Sequence, residues 1–539
     1  MKGTMMEYPL TLPHILERAG RLFAGVEIVS RRPDKSAVRS TYADLHRRAQ
    51  ALAEGLQAAG LQRGDRVATL MWNHSTHLEA YFGVPCAGGV LHTLNIRLHS
   101  DELAFIVNHA QDRFLLVDDI LLPLLESFRD RVSLERIWVV PYSGEPLPKG
   151  YENYEDLLAG ARGNFVYPAL NENDAAAMCF TSGTTGRPKG VLYSHRAIVL
   201  HSFAMALPDA LAISEHDVMM MVSSLFHANG WGYPYAGALV GARQVFPGPK
   251  TDGESLLDLM ESEQVTLTNG VPTIWIGVGE ALERSPGRWK LAPGLRALCA
   301  GSAVPEKLFR TLDAYGIHLM QAWGMTETTP LASFSRLNPQ MKDWPADSQY
   351  QARTTQGKGV PFVELRAVAG GKEVPWDGQT MGELQVRGPW IAASYHNFPE
   401  AMDRWTEDGW FLTGDVVTID PHGYIKVTDR SKDLIKSGGE WISSVDVESA
   451  LMNHPGVREA AVIGVPHPKW QERPIAVIVP REGEKPNPEE LSSYLAGLFA
   501  KWQIPDAFVF AEAIPKTSVG KFLKSKLREQ YASWKWESG

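Results

Sequence analysis

The segment Thr181–Gly190, TSGTTGRPKG, concentrates hydroxyls, glycines and two cations in ten consecutive residues. Thr181, Ser182, Thr184 and Thr185 offer hydroxyl donors, while Gly183 and Gly186 permit positive φ and let the backbone approach a ligand closely. A loop of this kind aims backbone N–H groups at an anion. Lys189, with Arg187 nearby, adds positive charge. The chemistry implied is the cradling of a polyphosphate. The P-loop pattern G-x-x-x-x-G-K-[ST] does not describe it, because Pro188 precedes the lysine and Gly190, not a hydroxyl residue, follows. A plain surface connection is the competing reading. It leaves unexplained why so many donors sit between two apolar runs, AAAMCF (Ala175–Phe180) and VLYSH (Val191–His195).

Other segments carry groups of chemical interest. QAWGMTET (Gln321–Thr328) brings an aromatic ring and the carboxylate of Glu327, and GSAVPEKL (Gly301–Leu308) opens with small residues. GWFLTGDVV (Gly409–Val417) holds Asp415, and DRSKDLIKSGGEW (Asp429–Trp441) holds Arg430, Lys432 and a glycine pair. PKTSVGKFLKSKLR (Pro515–Arg528) is dense in lysine, and SLFHANGWGYPYAGAL (Ser224–Leu239) is aromatic with one histidine. Singly, each has a bland structural reading. Glu327 is a helix-start carboxylate, Gly301–Ala303 a strand-to-helix turn, Asp415 with Arg430 a surface salt bridge, Gly438–Gly439 a hairpin turn, and His227 a core-edge histidine.

Taken in order with TSGTTGRPKG, these segments resemble the adenylate-forming superfamily of acyl-CoA synthetases, luciferases and peptide-synthetase adenylation domains over most of the chain. The resemblance implies that ATP is held through its phosphates by Thr181, Ser182, Gly183, Thr184, Thr185, Gly186 and Lys189. It sets adenine against Gly301, Ser302, Ala303, Ala322, Trp323, Gly324 and Met325, and the ribose hydroxyls on Asp415 and Arg430. Trp323 stands where the family usually has tyrosine, which keeps a stacking face but loses a hydroxyl hydrogen bond. Thr326 falls beside the α-phosphate, and Glu327 with Thr181 is the implied Mg2+ site, in keeping with an ion that takes one carboxylate and keeps its waters. Lys432 falls on the family's hinge. Gly438, Gly439, Glu440 and Trp441 fall on its coenzyme A passage. Lys521 matches the catalytic lysine, which bridges a carboxylate and the α-phosphate and offsets their repulsion. His227 matches a gating residue beside the acyl pocket, which Trp231, Gly232 and Trp275 are expected to line and shorten. Lys524, Lys526 and Arg528 are expected on a helix surface.

The implied reaction is AMP-forming acid–thiol ligation. A carboxylate attacks the α-phosphorus of ATP and releases pyrophosphate, and the thiol of coenzyme A then displaces AMP. The aromatic segment is most similar to the bacterial short- to medium-chain acyl-CoA ligase branch, which includes ligases acting on 3-(methylthio)propionate. A short thioether acid suits a small aromatic pocket, since sulfur packs well on rings. A medium- or long-chain fatty acid is the alternative substrate. Alternative activities are a luciferase-like or carrier-loading adenylation that does not use free coenzyme A, and a non-enzymatic nucleotide sensor.

The elements that must position these groups alternate short apolar strands with amphipathic helices, as in RVATLMWN followed by LEAYFGVPCAGGV, or GLRALCAGSAVPEKLFRTLDAYG. This predicts an α/β fold with a large N-terminal domain of layered subdomains, parallel sheets plus a β-barrel-like part. Ser100 and Asn487 are expected helix N-caps, the latter with Pro488 and Glu490 in first-turn positions. From about Asp429 the pattern shifts to smaller units. The expected division is residues 1–429, a hinge at 430–432, and a small, mobile α+β domain over 433–539 carrying Lys521.

Composition fits this reading. The 539 residues carry a net charge of −9, which argues against a nucleic-acid partner. No apolar run reaches the roughly 18 residues of a membrane span, and the N-terminal stretch lacks a signal-peptide core. Three dispersed cysteines suit a reducing cytoplasm. A homodimer is expected from the resemblance.

Overall fold

A computed structural model describes residues 1, 3–181, 187–437, 440–517 and 521–536. Ser182–Gly186, Gly438–Gly439 and the residues just before Lys521 therefore lie outside the described residues, as does the side chain of Glu440.

Among the described residues the strands form four sheets. One runs, edge to edge, through Glu152–Asn153, Arg136–Val140, Asp112–Asp118, Arg66–Leu70, Val90–Thr93, Ala175–Phe180 and Gly190–Ser194. All its pairings are parallel except the last, where the two strands flanking the hydroxyl-rich segment run antiparallel. The largest sheet has Glu27–Arg31, Arg243–Phe246, Val218–Met221, Leu267–Gly270, Leu295–Cys299 and Ile317–Gly324 as a parallel centre. Antiparallel strands close both its edges. The expected parallel sheets are thus mixed at their margins. Burial explains the parallel centres, where runs such as VMMM are apolar on both faces. Beside these sheets stands a five-stranded antiparallel sheet ending in Phe411–Ile419 and Ile425–Arg430.

Local signals explain most element boundaries. Asn487 caps its helix by accepting from the Glu490 N–H at 2.9 Å, and Ser194 caps His195–Ala206 in the same way. Ser100 is not the cap expected of it. His99 takes that place, its ring accepting from the Asp101 N–H while Glu102 reaches back to the His99 N–H, which makes Ser100 the first helical residue.

The fourth sheet belongs to the small C-terminal unit. It orders Glu440–Ile442, Ile435–Ser437, Gln471–Pro480 and Val457–His467, with Ala507–Phe510 added in parallel to Gln471–Pro480. A buried polar network joins this unit to the last strand of the preceding sheet. Asp429 accepts from both the N–H and the hydroxyl of Ser444, and the Ser443 hydroxyl donates to the Thr428 carbonyl at 2.6 Å. Lys524 donates to Ser444 and forms a 2.7 Å ion pair with Glu448, whose carboxylate also accepts from the Val462 N–H. Lys524 is therefore not on the helix surface expected of it. Its neighbours are carboxylates on two separate elements, and a buried charge persists only when paired. Arg528 likewise bridges to Asp433.

Burial pushes the Glu448 carboxyl up to about 7, against the pull of Lys524. Removing the lysine as Lys524→Ala strands that carboxylate. At pH 8 the variant should lose about 3–5 kcal/mol of unfolding free energy. A carboxyl whose folded value lies above its ordinary 4.5 favours the folded state most at acid pH and loses that advantage as pH rises toward 7. The deficit of Lys524→Ala should accordingly shrink at pH 5. Denaturant titrations at the two pH values measure the difference.

Candidate active site

The loops that leave the carboxyl ends of the parallel strands converge on one cavity, as expected for open α/β sheets. It has a volume of about 340 Å3 and is lined by Thr181, Lys189, His227, Trp231, Trp323, Thr326, Glu327, Arg430 and Lys521, among others. A second cavity of about 220 Å3 adjoins it, sharing Gly301, Ala322, Trp323, Gly324 and Lys521 and adding Ser302, Ala303 and Asp415.

The two lysines arrive on separate loops that are built alike. The Thr181 N–H donates to the Lys189 carbonyl at 2.9 Å, and the Lys189 N–H returns to the Thr181 hydroxyl at 3.1 Å. At the other loop the Thr517 N–H donates to the Lys521 carbonyl at 2.7 Å, and the Lys521 N–H returns to the Thr517 hydroxyl at 3.1 Å. In each case a threonine holds the lysine's own backbone through both its N–H and its hydroxyl.

Glu327 is buried and sits in a short 3-10 turn, Thr326–Thr328. Its carboxylate accepts from the Tyr395 hydroxyl at 2.5 Å, and its carbonyl accepts from the Ala392 N–H at 2.8 Å. The Tyr193 hydroxyl holds the Thr326 carbonyl at 2.7 Å. The Tyr395 ring faces the Lys189 ammonium at 5.1 Å, with Phe398 at 5.4 Å on the same cation. Two backbone bonds, Ala392 N–H to Glu327 and His396 N–H to the Gly190 carbonyl at 2.8 Å, place Tyr395 between these two groups.

Among the described residues no cluster of three or more His, Cys, Asp or Glu side chains could hold a metal ion unaided. A single buried carboxylate beside Thr181 fits an ion that draws its remaining ligands from phosphate oxygens and water.

Asp415 and Arg430 face one another across adjacent strands, with Arg430 Nε 3.0 Å from Asp415 Oδ1. Asp415 is buried in the cavity wall and is not a surface salt-bridge partner. Desolvation, with repulsion from Arg430, lowers Lys521 to about 8, against the opposing pull of Asp415 and Glu327. Gly301 adopts φ 102°, a backbone that strains any other residue, and a Cβ there would press on Lys521 Cε at 3.1 Å.

One wall of the cavity rests on a left-handed turn. Ala228, Asn229, Gly230, Trp231 and Gly232 all have positive φ, from 37° to 75°. Such backbone costs about 1–2 kcal/mol for each non-glycine residue. Burial and hydrogen bonds hold it, including Asn229 N–H to Cys179 Sγ at 3.1 Å and Gly230 N–H to the His227 carbonyl at 3.0 Å. The turn presents Ala228 and Trp231 to the cavity beside Met205, Leu211 and Val271. Gly232 is fixed by space as well as φ, because a Cβ would lie 2.5 Å from the His201 ring. Burial, with added repulsion from Lys521, holds the His227 imidazole down at about 3, so it stands neutral at the cavity wall. Trp275 corrects the expectation made for it. It is fully buried in a different core, its indole N–H shared between the Gly270 and Leu298 carbonyls, behind the wall and out of the cavity.

Lys432 lies between the strands ending at Arg430 and beginning at Ile435 and lines both cavities. Ile435–Ser437 and Glu440–Ile442 pair antiparallel with Ser437 opposite Glu440. Trp441 is partly exposed, with the Lys436 ammonium 4.7 Å from its ring.

The AMP-binding enzyme model matches residues 25–396, and the AMP-binding enzyme C-terminal domain matches residues 446–521. The chain belongs to the AMP-binding enzyme family. It is 49% identical to a long-chain-fatty-acid–CoA ligase of Thermus thermophilus over 99% of this chain and 97% of that protein. It is 43% identical to a 3-methylmercaptopropionyl-CoA ligase of Ruegeria lacuscaerulensis over 98% of this chain and 99% of the other. The anthranilate CoA ligase AuaEII, solved in complex with anthranoyl-AMP, superposes with a TM-score of 0.86 at 26% identity, covering 98% of this chain and 99% of that one.

Tyr395, Tyr193 and Thr517 contact this AMP-binding enzyme's site and went unforeseen. Only Thr517 carries a readable signal, the recurrence of a threonine a few residues ahead of a lysine in both TSGTTGRPK and TSVGK. Tyr395→Phe keeps the ring beneath Lys189 and removes the donor from a buried carboxylate. A lost hydrogen bond to a charged group is worth about 1.5–3 kcal/mol. The KM for magnesium–ATP should rise about tenfold or more in steady-state pyrophosphate release, with the cooperative unfolding transition retained.

Proposed function

We propose that this AMP-binding enzyme is an acid–CoA ligase for short- to medium-chain acids, with 3-(methylthio)propionate the best-matched substrate. One observation carries the reading. Two lysines from separate loops, each held by a threonine, and one buried carboxylate line a single cavity together with the apolar side chains of Trp231, Met205, Leu211 and Val271.

The chain's own groups account for each step. Lys189 and the Thr181 hydroxyl bind the phosphates, and Asp415 accepts hydrogen bonds from the ribose. Neutral His227 and Trp231 border the acyl group and keep water from the carboxylate. One carboxylate oxygen bonds to the α-phosphorus as the bond to pyrophosphate breaks. Lys521, as the ammonium ion, spans the incoming carboxylate and the α-phosphate and stabilises the charge developing there. A Mg2+ ion on Glu327 would supply charge neutralisation at the phosphates. In the second half-reaction the thiol sulfur of coenzyme A bonds to the acyl carbon, the thiol proton is lost, and AMP leaves. The chain segment 430–432 is the proposed hinge, with 1–429 and 433–539 as the bodies it joins. Rotation there withdraws Lys521 and brings Gly438–Trp441 to the adenylate, a gating movement known for hinged enzymes.

The short-acid assignment rests on the strained turn. Its backbone sets Trp231 at the cavity wall, where a bulky indole leaves less space for a long acyl chain. The long-chain name of the Thermus relative supports the alternative, a longer fatty acid.

Thioester formation across straight-chain acids from acetate to dodecanoate, with 3-(methylthio)propionate included, decides between them. The highest kcat/KM should fall on the thioether acid and its short- to medium-chain neighbours. A maximum at dodecanoate contradicts the assignment. Lys521→Ala should reduce adenylation about a thousandfold, the scale of one lost preorganised charge. The same variant should leave thioester formation from supplied acyl-adenylate within about threefold, which separate half-reaction assays measure.

A further inference from the structure

Trp323 does more than form a wall. It lies on the strand Ile317–Gly324, is buried, and lines both cavities. Its indole N–H donates to Asp415 Oδ2 at 2.8 Å, while Arg430 Nε lies 3.0 Å from the other oxygen, Oδ1. One carboxylate oxygen therefore accepts a hydrogen bond from the indole and the other is ion-paired with the guanidinium. A carboxylate offers about four lone-pair sites, so at least one remains on each oxygen. Two adjacent acceptors with one free site apiece match two adjacent hydroxyls.

The backbone around the indole is fixed. Immediately after Trp323 the strand pairing shifts register, and a Cβ on Gly324 would lie 1.8 Å from the Pro330 carbonyl oxygen. Asp415 is fixed as well, its N–H donating to the Thr413 hydroxyl at 3.1 Å. The indole reaches the carboxylate from a different sheet than the one that carries Arg430. The ion pair with Arg430 alone would leave the carboxylate free to turn about its side-chain bond; the indole hydrogen bond on the opposite oxygen sets its plane.

We infer that Trp323 is a positioning residue for nucleotide recognition. Its N–H orients Asp415 so that both oxygens face a vicinal diol, and discrimination between a ribonucleotide and its 2′-deoxy analogue depends on that indole. This rests on the reading of Asp415 as the ribose acceptor.

Calorimetric binding of AMP and of 2′-deoxy-AMP to the wild type, Trp323→Phe and Asp415→Asn tests the inference. Trp323→Phe keeps an aromatic face and removes only the donor. It should weaken AMP about tenfold and 2′-deoxy-AMP about twofold, lowering the preference about fivefold. Asp415→Asn should remove most of the preference. If Asp415→Asn abolishes the preference and Trp323→Phe leaves it intact, the positioning role is wrong while the ribose reading survives. Equal weakening of both nucleotides by Trp323→Phe also overturns it, since that is the behaviour of a cavity wall. If Asp415→Asn keeps the full preference, the ribose reading itself fails and takes the inference with it. Trp323→Tyr, with its hydroxyl at the far end of a shorter ring, reads the same comparison should Trp323→Phe not fold.

Discussion

Two positive side chains have to be held where two anions will meet, and the chain meets this constraint with backbone. Lys189 and Lys521 each sit at the end of a loop whose base is closed by a reciprocal threonine–lysine pair of hydrogen bonds. That pairing fixes where the side chain begins and leaves its ammonium free to follow charge. Before any nucleotide binds, Lys521 is already lowered to about 8 by desolvation and by Arg430. In the proposed reaction an arriving phosphate would offset that penalty, so that the lysine would hold its proton most firmly with both reacting groups present, as stabilising a transition state more than the free site requires.

The same constraint explains why so much polar chemistry is buried at the junction of the two parts of the chain. Lys521 reaches the cavity because its unit is anchored by Ser443 and Ser444 on the strand that ends at Arg430, and by Lys524 between Glu448 and Ser444. These bonds involve charges that cannot be left unpaired, so they favour one docking geometry over near alternatives. Strain is spent in a comparable way at Ala228–Gly232, where consecutive positive φ values set Trp231 against the acyl end. Cost in the backbone there converts into a cavity wall that does not give.

What the sequence revealed followed physical range. Segments whose function is local were legible. The two apolar strands flanking Thr181–Lys189, the Asn487 cap and the strand–turn–helix around Gly301 are dictated by neighbours in the chain. Features created by long-range approach were not. Tyr395 joins Glu327 to Lys189 across separations that no local pattern reports. Lys524 reads as one more exposed lysine in a basic helix until Glu448 and Asp429 are brought against it. Trp275, expected as a second indole narrowing the pocket, is packed instead into a second core. His99 outcompetes Ser100 as a cap because its ring and the following carboxylate act together, a pairing that residue preferences alone do not anticipate.

The most direct test is a crystal structure with a non-hydrolysable acyl-adenylate mimic built on a short thioether acid. The account predicts the Lys521 ammonium within about 3.2 Å of the group replacing the α-phosphate, the distance of a charge-assisted hydrogen bond. It also predicts the acyl chain ending against Trp231. A mimic bound with its phosphate substitute remote from both Thr181 and Lys521 would contradict it.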